Sequence, residues 1–170
     1  PDTGNMELLH LFGTPEQRER WLKPMLAGTI RSAFSMTEPD VASSDATNIQ
    51  TTILRDGDDV VINGRKWFTS NAMHPNCRFA IVMGISDTSP DANPHKRHAM
   101  CIVPLETPGV EIVRNVAIMH HHAAEGHCEV LYKNVRVPAS HLLGEPGQGF
   151  MLSQARLGPG RVHHAMRSIG

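Results

Sequence analysis

The run from Ile49 to Ser70 constrains the fold most, because its residues alternate in character and two Asx-Gly pairs punctuate the alternation. Ile49, Thr51 and Ile53 alternate with Gln50 and Thr52. Asp56-Gly57 then provides a tight turn, and Val60-Val61-Ile62 runs back as the second arm of a hairpin. Asn63-Gly64 predicts a second tight turn, with Arg65 to Ser70 as a third strand, so the stretch reads as a meander of three.

The same punctuation continues downstream. Phe79 to Ile85 and Ala99 to Leu105 read as two apolar strands separated by the loop Asp87 to His98. Thr107-Pro108-Gly109 turns into Val110 to Val113, and Glu129 to Val137 carries Val130, Tyr132 and Val135 before Pro138 ends it. About seven short strands at this spacing predict an antiparallel barrel or sandwich.

Helical patterns flank the strands. Residues 1–30 read as helix: Asp2 and Thr3 can cap a segment with Met6, Leu8, Leu9 and Phe12 on one face, and Gly13 stops it. Thr14-Pro15-Glu16-Gln17 is a capping box with proline at the first helical position. Trp21, Leu22, Met25 and Leu26 form the apolar stripe that follows, and Pro24 is expected to kink or break that helix. After Gly147-Gln148-Gly149 the helical pattern returns with Phe150, Leu152, Ala155 and Leu157. Gly158-Pro159-Gly160 is expected to interrupt it before Arg161 to Ile169. The fold class expected is α+β: helices at 1–30, a β block at 31–140 and the opening of a second helical block at 141–170.

Composition excludes several functions. Sixteen Lys and Arg against seventeen Asp and Glu leave a formal charge of −1, so no basic field is available to hold nucleic acid or an anionic membrane. No apolar run approaches the roughly 20 residues of a membrane span, and a soluble intracellular protein is expected. Cys77, Cys101 and Cys128 are widely spaced without a C-x-x-C, which disfavours both a disulfide framework and a zinc ribbon. The chain begins Pro1-Asp2, and it is expected to be a piece of something longer.

One stretch fits no strand or helix pattern. Phe34 to Asp45, F-S-M-T-E-P-D-V-A-S-S-D, holds three Ser, one Thr, three carboxylates and a proline without an aliphatic run. It reads as a shaped polar loop, where a rigid scaffold presents function. The aromatic pair Trp67-Phe68 stands a strand's length away, and on pattern alone it reads equally as a cross-strand core pair.

With these elements in order, the chain resembles the acyl-CoA dehydrogenases: a helical domain, a middle β-barrel and a C-terminal helical bundle. The resemblance rests on five motifs in register. They are Met36-Thr37-Glu38-Pro39 leading to Ser44-Asp45; Ile62-Asn63-Gly64-Arg65-Lys66-Trp67-Phe68-Thr69; Thr107-Pro108-Gly109-Val110; Asn134-Val135-Arg136-Val137-Pro138; and Leu143-Gly144 with Gly147-Gln148-Gly149-Phe150.

The resemblance implies FAD as cofactor, with Phe34, Ser35, Met36, Thr37, Ser43, Ser44, Trp67, Phe68 and Thr69 around the ring. Met36 and Thr37 would donate to its pyrimidine edge, Trp67 would pack against it, and Thr69 would lie near N5. Ser44 and Arg161 would face the acyl-CoA substrate. Such an enzyme dehydrogenates the α and β carbons of an acyl-CoA thioester and passes its electrons to an electron-transfer flavoprotein. It works as a homodimer or homotetramer, in mitochondria or peroxisomes of eukaryotes or in the bacterial cytoplasm. A flavin offers a polar edge that suits neutral donors on a loop and an apolar face that suits an aromatic ring.

Two departures from the family pattern stand out. Four residues, Asp40-Val41-Ala42-Ser43, separate Pro39 from Ser44-Asp45, one more than in the family and without its glycine. Gly160-Arg161 occupies the position where some members carry a Glu-Arg pair, so no catalytic residue is expected in this chain and the base is expected beyond Gly170.

Other readings remain beside this one. A flavin oxidase or monooxygenase of the same fold could act on a non-CoA substrate. His120-His121-His122 with Glu125 and His127 could make the chain a histidine-rich binding module, although adjacent histidines on a strand point to alternate faces and no metal site is expected. Glu38 and Asp45 are expected to cap turns or helix ends.

Overall fold

The computed structural model describes residues 1–170. Helix α1 (Asp2–Phe12) ends at Gly13, whose N–H reaches Leu9 O. Its first residue does not cap it as expected. The Asp2 carboxylate instead accepts from Ser32 N and Ser32 Oγ at 2.8 Å each, tying the helix to the first strand. The Thr14 capping box is present in both directions, with Gln17 N to Thr14 Oγ1 at 3.2 Å and Thr14 N to Gln17 Oε1 at 3.0 Å.

Pro24 does not break the helix it enters. Between α2 (Pro15–Gln17) and α3 (Lys23–Leu26) the chain forms a π turn, Arg18–Leu22, closed by Lys23 N–H on Arg18 O. The wider turn puts Pro24 at the start of α3, where a missing N–H costs little.

Eight strands follow: β1 (Arg31–Ser35), β2 (Thr52–Asp56), β3 (Asp59–Ser70), β4 (Cys77–Ile85), β5 (His98–Pro104), β6 (Val110–Asn115), β7 (His127–Pro138) and β8 (Leu142–Leu143). They form one sheet in the order β6-β7-β3-β2-β4-β5-β8, with β1 added beside β4. The sheet is barrel-like without being closed, and most pairs are antiparallel as expected. Two are parallel: β1 on β4, and the single Thr52↔Ile85 pair of β2 on β4.

Two predicted breaks are absent. Asn63-Gly64 is no turn: β3 runs straight through it, held by β2 on one side and β7 on the other, with a bulge between Ile62 and Gly64. Glycine is required there by close approach, since a Cβ at Gly64 would lie 2.2 Å from Thr51 Oγ1. Gly158-Pro159-Gly160 likewise lies inside one helix, α4 (Gly149–Ile169). Phe34 and Ser35 also leave the loop assigned to them and form the end of β1, because Ser35 pairs with Val82 and its hydroxyl is satisfied inside the protein.

The apolar strands β4 and β5 are buried on both faces. Ala80, Val82, Cys101 and Val103 belong to one core with Ile53, Ile62, Val130 and Tyr132. Phe79, Ile81, Met83, Met100 and Ile102 join the helical residues Leu8, Leu9, Trp21, Leu22, Met25 and Leu152 in a second core. The sheet is therefore a partition between two apolar layers, which explains its continuous apolar runs. No helix is long and apolar enough to cross a membrane.

Candidate functional site

The two stretches singled out in the sequence lie side by side. As β1 ends, Met36 and Thr37 run along β3. Trp67 N donates to Thr37 O at 3.0 Å, and Thr37 Oγ1 donates back to Trp67 O at 2.9 Å. Two residues before Thr37, Ser35 Oγ lies 3.1 Å from Thr69 Oγ1 and 2.8 Å from the Tyr132 hydroxyl, joining β1, β3 and β7. Burial raises the Tyr132 hydroxyl well above its usual pKa, so it is a neutral donor and acceptor.

A charge pair lies under this seam. Lys66 is 0% exposed, with Nζ 2.8 Å from Glu38 Oε1 and 2.7 Å from Met36 O. Glu38 also accepts from Gln50 N at 2.8 Å and Thr51 N at 2.9 Å, so its carboxylate organises the backbone that follows the loop. Burial would raise the Glu38 pKa, but the Lys66 ammonium and the backbone donors outweigh it and hold the group below the ordinary value. Burial pulls Lys66 down to about 8 against the pull of Glu38. At neutral pH both stay charged.

Above the charge pair the strand changes face abruptly. Phe68 adopts φ 50, a left-handed conformation costly for an aromatic residue, inside a bulge where pairing with β7 shifts between Lys66 and Thr69. The consequence is that Phe68 is 39% exposed, Trp67 is half-buried beside it with ring centroids 4.5 Å apart, and Thr69 is fully buried. The pair is thus no cross-strand core pair. Ser70, which the sequence reading passed over, is half-buried, with Oγ 2.7 Å from His127 Nδ1.

The remaining candidates divide. Ser43 is buried in the loop, where its hydroxyl accepts from Glu38 N at 2.8 Å and donates to Glu38 O at 3.1 Å. Ser44 is exposed. Asp45 caps the short helix Ala46–Asn48 through Thr47 N at 2.9 Å, as its type suggested. Arg161 is exposed on α4, where it donates to Gln154 Oε1 at 3.0 Å and borders a groove with Glu7 and Arg167 but with none of residues 34–45.

Another α4 arginine reaches the seam. The Arg156 guanidinium stacks 3.7 Å from the centroid of Phe34, and its Nε donates to Asn5 Oδ1 at 3.0 Å. Asn5 in turn donates to Ser32 Oγ and Ala33 O at 2.9 Å each. His120, His121 and His122 are exposed in a turn, while His127 is engaged with Ser70. No group of three His, Cys, Asp or Glu side chains is arranged to hold a metal. A cavity of about 620 Å³ lies elsewhere, lined by residues such as Thr14, Arg20, Arg55 and His141. Its one aromatic ring, Trp21, is buried, so it lacks the exposed aromatic ring of the seam.

The arrangement suits a neutral, flat ring system. Its exposed elements are an aromatic ring and uncharged groups; Lys66 and Glu38 are paired beneath, and Arg156 is stacked on Phe34. Thr37 N–H finds no acceptor within the chain.

Residues 33–135 match the profile of the acyl-CoA dehydrogenase middle domain. The chain belongs to the acyl-CoA dehydrogenase family. Among acyl-CoA dehydrogenases, the Mycobacterium tuberculosis protein FadE2 is 62% identical over 170 residues, covering 100% of this chain and 41% of FadE2. Acyl-CoA dehydrogenase family member 11 of Gallus gallus is 55% identical over 172 residues, covering 100% of this chain and 22% of that protein. A solved Mycobacterium abscessus structure described as an acyl-CoA dehydrogenase superposes with a TM-score of 0.93 at 54% identity, over 98% of this chain and 41% of that one. The chain thus spans less than half the length of these relatives, and the family implies FAD.

Proposed function

We propose that this chain is the flavin-binding part of an FAD-dependent acyl-CoA dehydrogenase, an oxidoreductase acting on the CH–CH bond of acyl-CoA thioesters. The observation that supports this most directly is the seam itself: Thr37 is locked against Trp67 by two reciprocal hydrogen bonds, with an unused N–H at Thr37 and an exposed ring at Phe68. When bound, the flavin supplies a two-electron acceptor. Residues of this chain orient it: Thr37 N–H donates to its polar edge, Phe68 and Trp67 cover an apolar part of it, and Ser70 adds a hydroxyl beside them.

In this reading residues 31–140 are the flavin-binding domain, and 1–30 and 141–170 belong to the neighbouring helical domains. Ser44, exposed at the end of the loop, faces the acyl-CoA. Thr69 and Ser35 act from beneath by fixing β1 on β3, since both hydroxyls are buried and mutually bonded. The α-proton abstractor lies outside the chain, an electron-transfer flavoprotein takes the electrons, and the working protein is a homodimer or homotetramer.

The complete protein carrying this chain tests the proposal. It is expected to be yellow with bound FAD, and an acyl-CoA from a panel of chain lengths is expected to bleach it. A colourless protein that cannot be reconstituted with FAD overturns the flavin reading. A yellow protein that no acyl-CoA bleaches overturns the dehydrogenase reading in favour of a flavin oxidase or monooxygenase.

A further inference from the structure

Lys66 meets the loop from behind. A fully buried ammonium is costly to desolvate, and this one has two acceptors: the Glu38 carboxylate at 2.8 Å and the carbonyl of Met36 at 2.7 Å. Glu38 would neutralise the charge by itself. The second contact has a directional consequence.

Met36 O and Thr37 N belong to one peptide group. No peptide bond in the chain is cis, so the N–H of this unit points opposite to its C=O. With the carbonyl drawn inward onto Lys66, Thr37 N–H is aimed outward. The other polar groups of Thr37 are occupied by Trp67, which fixes the rotation of the unit. A cation on the carbonyl also polarises the peptide, and a hydrogen-bond donor strengthens when its own acceptor end is engaged.

We propose that Lys66 is a positioning residue for electron acceptance: it holds and polarises the Met36–Thr37 peptide so that Thr37 N–H becomes a strengthened donor to the flavin, favouring the ring's more electron-rich reduced form. The inference rests on the flavin reading above. Glu38 serves it by keeping the buried ammonium charged.

The test uses the complete protein and compares Lys66→Met with Lys66→Met/Glu38→Gln, which removes both buried charges and so avoids an unpaired carboxylate. Val135→Ala serves as a control, because it loosens the sheet core at a position paired with Ile62, on the part of β3 that precedes Lys66. FAD content and the midpoint potential of the bound flavin are measured by dye equilibration. Loss of a hydrogen bond from a charged group is expected to weaken the preference for reduced over oxidised flavin about tenfold, about 30 mV for a two-electron couple.

Both Lys66 variants are expected to show this negative shift, while Val135→Ala keeps the wild-type potential. Loss of FAD from both Lys66 variants, with FAD retained in Val135→Ala, supports the same role. An unmoved potential in the flavin-loaded variants overturns it, as does an equal shift or FAD loss in Val135→Ala. Wild-type protein that binds no FAD defeats the flavin reading itself. Wild-type protein that binds FAD, with variants at the same potential, defeats only the role of Lys66.

Discussion

The Arg156 guanidinium lies 3.7 Å from the centre of the Phe34 ring, so a residue near the C-terminus covers the side chain at which β1 approaches the polar loop. Burial pulls the pKa of Arg156 down to about 10, and it remains a cation at any pH of interest. Stacking on an aromatic face at a desolvated site contributes about 1–2 kcal/mol. Arg156→Ala is expected to lose this and the bond to Asn5, lowering thermal stability by about 2 kcal/mol. Arg156→Lys, which lacks the planar face, is expected to recover less than half. Thermal unfolding of the three proteins checks the order.

Phe68 offers a separation of stability from binding. Its left-handed backbone costs on the order of 1 kcal/mol or more, and Phe68→Gly removes that strain together with the exposed ring. The variant is expected to melt no lower than the wild type while retaining less FAD after dialysis. A clear fall in melting temperature with full FAD retention would refute the assignment of Phe68 to the cofactor.

Gly64→Ala forces a Cβ into Thr51, whose Oγ1 and Cβ lie 2.2 Å and 2.6 Å from that position. Overpacking of this kind costs about 1–3 kcal/mol. Thr51→Gly is expected to restore part of the loss in the double variant, measurable by denaturant unfolding.

Acid should destabilise the fold through two groups. Burial, with Arg97 and Lys66 nearby, depresses His98 from 6.5 to about 4, so the folded protein keeps it neutral. Because the unfolded chain binds the proton first, stability falls as pH drops from 6.5 towards 4, by up to about 3 kcal/mol. The Glu38 contribution is present above the unfolded value of 4.5 and is lost as pH falls through the lower folded pKa. Melting temperature against pH is expected to slope downward below pH 6.5 in the wild type, and His98→Phe is expected to flatten the upper part of that slope.

Strands β2 to β7 announced themselves through alternation and turns, and so did the capping box at Thr14, because these are local signals; β1 and β8, short and set by pairing with β4 and β5, did not. Asn63-Gly64 misled for a tertiary reason: the dipeptide fits a turn, but Thr51 occupies the space against which only glycine packs, and pairing on both sides keeps β3 extended. The loop and the Trp67-Phe68 pair were legible as a composition anomaly and a motif. Lys66 and Tyr132 were not, since nothing local distinguishes a buried lysine in a strand from a surface one; its partner stands 28 residues away. Ser70 was missed because the bulge after Lys66 shifts which residues face outward, and period-two counting cannot anticipate a bulge.

The hydroxyl cluster of Ser35, Thr69 and Tyr132 sets an order of assembly. Its members span 97 residues, and the long β3–β7 ladder beneath pairs Asp59 with Pro138. Contacts so distant in sequence form late and slowly. During synthesis, therefore, the seam between Thr37 and Trp67 lacks its floor until Tyr132 has cleared the ribosome, and any ligand that needs that floor meets a largely completed sheet, not the nascent loop.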